Sequence, residues 1–89
     1  MVLPRLISGP NCHMCEVMIN NVRYEYNNDF TNVTVDQMKN SLYIQCDLNF
    51  NGFTDAECKQ MANQDAADVL QQLKEGKSSY RICQQENFC

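Results

Sequence analysis

The chain has 89 residues, six cysteines, one histidine, 44% hydrophobic residues and a formal charge of −4. This length holds one compact domain rather than two, and the apolar content excludes wholesale disorder. Acidic and basic residues are interspersed with no basic patch, which excludes nucleic acid as a partner.

Residues 1–9 read as a flexible N-terminal segment, and the single domain spans residues 10–89. Residues 2–7 are too short and too interrupted for the apolar core of a signal peptide, so a secretory leader is expected to have been removed already. No run of 18 or more apolar residues offers a membrane-spanning helix. From Pro10 onward, apolar side chains recur at Cys12, Cys15, Met18/Ile19, Val22 and Tyr26, which is helical spacing, and the polar residues 27–29 end the segment. Thr34 and Gln37 form a capping box ahead of a second helix, with Val35, Met38, Leu42 and Cys46 on one face. Thr54 and Glu57 read as another capping box, opening a third helix whose stripe is Cys58, Met61/Ala62, Ala66, Val69/Leu70 and Leu73, with Gly76 as its C-terminal cap. Ser78 and Ser79 cap a short fourth helix through Tyr80, Ile82 and Cys83. Four amphipathic helices without a strand signal predict an all-α domain.

Residues 47–58 imitate a calcium loop. Asp47, Asn49, Asn51, Gly52 and Asp55 fall on positions 1, 3, 5, 6 and 9 of the EF-hand pattern, but position 12 is Cys58, not glutamate. Glu57, expected to cap the third helix, is unavailable as a ligand, so the stretch reads as a turn and no metal or other cofactor is expected.

An even number of cysteines in a short chain reads as three disulfides, hence an oxidising compartment. Their spacing is C-x2-C, thirty residues, C, eleven, C, twenty-four, C-x5-C. Six cysteines allow 15 pairings. Cys46 and Cys58 close the hairpin around the calcium-like turn, and Cys12 and Cys15, one turn apart on a helix face, are left to reach Cys83 and Cys89. Running the two ends antiparallel nests the bonds as Cys12 to Cys89 and Cys15 to Cys83, with residues 86–89 leaving the helix. A thioredoxin-type reading of Cys12 and Cys15 lacks the preceding strand. A zinc site made from the four outer cysteines would leave Cys46 and Cys58 unexplained.

The ordered six-cysteine spacing on amphipathic helices resembles the saposin-like family (saposin B-type domain) from Cys12 to Cys89. The single-domain length, acidic balance and Asn-rich texture look most like its secreted nematode members, of hookworm type. The resemblance implies a leaf of four to five helices with the three nested disulfides, which closes on itself or opens like a V to expose an apolar face, with a homodimer as one open form. It also implies secretion, outside the cell or into an acidic gut or lysosome-like compartment. Members bind or extract lipids, present them to hydrolases or permeabilise membranes.

In an ordinary soluble domain the stripe would be core. Under the resemblance it becomes the surface for acyl chains of phospholipid or another membrane lipid: Met14, Met18, Ile19, Val22, Met38, Leu42, Met61, Val69, Leu70 and Leu73. The methionines suit partners of varied shape. With reference pKa values, the eleven carboxylates lose roughly three charges by pH 4.5 and His13 gains about one, so repulsion from an anionic membrane surface fades in acid. Arg23, Lys39, Lys59, Lys74, Lys77 and Arg81 are then the side chains expected to reach head groups. Lysis is the competing function, disfavoured by the acidic balance, and a secreted disulfide-rich signalling ligand is a third. Ser41 and Tyr43 lack a base nearby in sequence, and His13, beside Cys12, reads as a surface residue, so no enzyme is expected. Asn32 opens a glycosylation sequon between the first two helices.

Overall fold

The computed structural model describes residues 10–89; the expected flexible segment 1–9 lies outside the described residues. Four helices follow one another, α1 (Pro10–Glu25), α2 (Val35–Asn49), α3 (Gly52–Lys74) and α4 (Ser79–Gln85), with no strand among the described residues. The domain is all-α.

Local chemistry sets most boundaries. Pro10 stands at the first helical position of α1, where its missing N–H costs nothing. Thr34 caps α2 through a complete capping box: its hydroxyl accepts from the Gln37 backbone N–H at 3.1 Å, and the Gln37 side chain accepts from the Thr34 N–H at 2.9 Å. Ser78 caps α4 by accepting from the Arg81 N–H. Three helices end alike. After α1, α3 and α4, Asn27, Gly76 and Asn87 take positive φ, and paired N–H bonds reach back to Tyr24 and Arg23, Leu73 and Gln72, and Gln84 and Cys83. This is the Schellman arrangement, in which glycine or asparagine is favoured because the left-handed region strains other side chains.

The start of α3 departs from expectation. Gly52, at φ +57°, turns the chain directly after α2, so α3 begins there with Asn51 as an N-cap that makes no side-chain bond. Thr54 and Glu57 therefore lie inside the helix and no capping box forms; Glu57 is exposed.

One apolar cluster joins the helices. α1 packs on α2 and α4, and α2 packs on α3. The cluster draws Met18, Ile19 and Val22 from α1, Met38 and Leu42 from α2, Ala62, Val69 and Leu70 from α3, and Ile82 from α4. Three disulfides join Cys12 to Cys89, Cys15 to Cys83 and Cys46 to Cys58, leaving no cysteine free. The first two weld α1 to α4 and its C-terminal segment; the third closes the α2–α3 hairpin. No helix among the described residues is long and apolar enough to cross a membrane.

Candidate functional site

The chain thus falls into two halves, α1 with α4 and α2 with α3, each cross-linked internally. No disulfide passes between them. The backbone connects them through residues 26–34 and 75–78, and both connections lie at the same end of the molecule, because one side chain touches both. Arg23 donates from Nε to Ser79 Oγ at 3.1 Å and from Nη1 to Asn28 Oδ1 at 3.1 Å, and its Nη2 donates to the Lys77 carbonyl. Burial lowers the Arg23 pKa from its ordinary value. In this structure the Arg23 guanidinium, one of the groups expected to reach head groups, ties the two connections together. Replacing Arg23 with alanine is expected to cost about 1–2 kcal/mol, below the full worth of charged hydrogen bonds because the group is only partly buried. Amide hydrogen exchange should accelerate at residues 26–34 and 75–78, and lysine should rescue only in part because it lacks the planar fork.

Further contacts fix how the halves meet. At the connected end the hydroxyls of Tyr26 and buried Ser41 lie 2.7 Å apart, and Ser41 Oγ donates to Glu25 Oε2 at 3.2 Å. The structure thus supplies the carboxylate that Ser41 lacks in its sequence neighbourhood, as a partner that docks α1 on α2. Asn21 Nδ2 donates to Gln45 Oε1 farther along the same pair of helices. At the opposite end, Phe50 stacks on Phe88 with ring centroids 5.7 Å apart. Phe50, which the calcium-loop pattern treats as mere bulk, is buried because the extended backbone after α2 folds it inward. Phe53 is 79% exposed.

Of the ten residues expected to face acyl chains, nine are buried: Met18, Ile19, Val22, Met38, Leu42, Met61, Val69, Leu70 and Leu73; Met14 packs partly buried against the same cluster. The structure brings them together as the seam between the halves and within the hairpin. Phe30, Val33 and Phe50 join them from the connecting segments, where no helical period announces them.

The expected head-group cations scatter. Lys39 Nζ reaches Asn63 Oδ1 at 3.5 Å, Lys77 lies 3.9 Å from Glu75, and Lys74 and Arg81 are exposed. Lys59 is held 2.6 Å from Asp47 and 3.5 Å from Asp55. It holds the Asp47 carboxyl below its ordinary pKa, while desolvation and then Asp47 raise that of Asp55. The two aspartates of the calcium-like stretch therefore converge on an ammonium group. Calorimetric titration is expected to find no calcium site tighter than millimolar; a micromolar site would contradict this account of residues 47–58. His13 and Asn32 are exposed.

A cleft of about 640 Å³ opens between the halves at the Phe50–Phe88 end, lined by Glu57 and Asp65 of α3, Cys12 of α1, and Glu86 and Phe88. Glu86 is half-buried there, and desolvation, followed by Asp65 and Asp68, pushes its pKa up to about 8.

No family model, curated protein or solved structure matches this chain.

Proposed function

We propose that this chain is a saposin-like lipid-binding protein. Its two halves part at the Phe50–Phe88 mouth, about a hinge at residues 26–34 and 75–78, and accept acyl chains on the seam. The observation that supports this most is the separation of covalent from apolar bonding. Every disulfide lies within a half, whereas the halves themselves meet through Met18, Val22, Met38, Leu42 and their neighbours. Such a seam re-forms as readily against hydrocarbon as against its partner half, because apolar packing is non-directional. Each buried methylene contributes about 0.8 kcal/mol, so a dozen or so offset the exposure of the seam.

Contact with an anionic bilayer strengthens in acid, as carboxylate charge is lost while Lys74 and Arg81 remain exposed. The setting is a secreted one, supported by the three disulfides. Anionic vesicles with entrapped dye test the function. The protein should bind them more at pH 4.5 than at pH 7 and carry phospholipid away in a soluble complex while the dye stays inside. Dye release without transfer would replace this reading with the lytic one. Neither event at any pH would remove lipid as the partner and leave the signalling ligand.

A further inference from the structure

We propose that Glu86 and Asp65 form a pH-sensitive latch across the mouth, closed while the two side chains share a proton and released when the Glu86 carboxyl ionises. The inference rests on the reading of the halves as separable.

Glu86 caps the end of α4 between Cys83 and Cys89, each bonded to α1, so its backbone is welded to the α1–α4 half. Asp65 belongs to α3, in the other half, and lines the same cleft. A proton held between these carboxyls therefore bridges parts of the molecule that no disulfide connects. Two residues beyond Glu86, Phe88 stacks on Phe50 across the same mouth, so the polar and the aromatic closures work together.

The charges around Glu86 set the direction of the switch. From α3 it meets Asp65 and Asp68, and Glu57 lines the cleft beyond. From α1 the lining is Pro10, Asn11 and the bonded Cys12, and from its own segment Gln85, Asn87 and Phe88, none of which titrates. Among the described residues, no lysine or arginine lines the cleft. Once Glu86 ionises, no described side chain of the lining offsets its repulsion from Asp65.

Burial and the neighbouring carboxylates keep Glu86 protonated up to about pH 8 in the closed form, against an ordinary value of 4.5. The closed form thus binds the extra proton. Its stabilisation by this group is full below about pH 4.5 and is lost as the pH rises toward 8. Acid consequently has two opposed effects, drawing the protein to an anionic bilayer while raising the cost of opening its mouth. Contact and opening have opposite pH dependence, and a zwitterionic bilayer, which lacks the charge attraction, isolates the second.

The test uses the disulfide-intact protein and its Glu86→Gln and Asp65→Asn variants. Nuclear magnetic resonance titration of the Glu86 side chain should give a midpoint near pH 8, moved downward in Asp65→Asn. The cross-peak between the Phe50 and Phe88 rings should be strong at pH 5, weaken by pH 9 in the unsubstituted chain, and persist in Glu86→Gln. Glu86→Gln should match the unsubstituted chain in Tm at pH 5 and exceed it increasingly toward pH 9. A midpoint in the ordinary carboxylate range, a midpoint indifferent to Asp65→Asn, or a Tm gap that does not change with pH would each overturn the latch. Transfer between zwitterionic vesicles separates this inference from the function beneath it. If Glu86 titrates as described but no lipid moves at any pH, the latch stands and the lipid reading falls; lipid transfer with an ordinary Glu86 midpoint gives the reverse.

Discussion

Replacing Leu42 with alanine is expected to lower the unfolding free energy by about 2–5 kcal/mol, whereas the same change at Ile44 should cost no more than about 0.5 kcal/mol. Both residues lie on α2, two positions apart. Leu42 is 0% exposed within the cluster shared by all four helices, and Ile44 is 55% exposed on the outer face. Truncating Leu42 removes three carbons from a packed interior, leaving a cavity whose walls relax only in part; truncating Ile44 removes surface that solvent already reaches. Urea denaturation of the two variants with disulfides intact measures the difference. Equal losses would mean that the free protein rests open, with the seam already in solvent.

Removing the Cys15–Cys83 disulfide by substituting both cysteines with alanine is expected to cost about 3 kcal/mol, and removing both nested bonds about 7 kcal/mol, more than twice as much. The reason is chain entropy. The two bonds span sequence separations of 68 and 77 and share nearly the same loop. While Cys12–Cys89 persists, the unfolded chain remains closed at almost the same place. Breaking Cys15–Cys83 then frees only the small ring between the two bonds. Breaking the second bond releases the long loop, worth roughly 4.5 kcal/mol by itself. Thermal unfolding of the single-bond and double-bond variants tests this, and simple doubling would show that the two bonds act as independent clasps.

Much of this fold was legible from local chemistry. Helical spacing located α1, the Thr34 box opened α2, Gly76 closed α3 and Ser78 opened α4, because each of these signals acts within one turn of the chain. Thr54 misled for a reason equally local: Gly52 takes a left-handed conformation, and α3 starts there before a threonine cap is needed. The functional features that periodicity missed depend on distant partners. Arg23 meets residues 54 and 56 positions away, and Phe50 meets Phe88. Glu86 is perturbed by Asp65 and Asp68, one helix earlier. An exposed-looking cation, a bulky turn residue and an ordinary glutamate carry no local mark of these roles. The stripe of Met18, Met38, Leu42 and Leu70 was plain in the sequence, but a periodic stripe has the same appearance whether it meets protein or lipid.

That distinction is the central claim, and aspartate substitutions at Leu42 or Leu70 address it poorly, since both side chains are buried and a charge there breaks the closed fold first. Photo-crosslinking with a phospholipid carrying a photoactivatable group in its acyl chain asks directly which residues touch hydrocarbon. The protein is incubated with vesicles, illuminated, recovered as soluble complex and mapped by peptide mass spectrometry. Adducts should concentrate on Met18, Met38, Leu42, Met61 and Leu70, all buried in the free protein. Adducts confined to the outward-facing Tyr24, Ile44, Leu48 and Phe53 would mean that the closed molecule merely rests on the bilayer, and would contradict the opening of the seam.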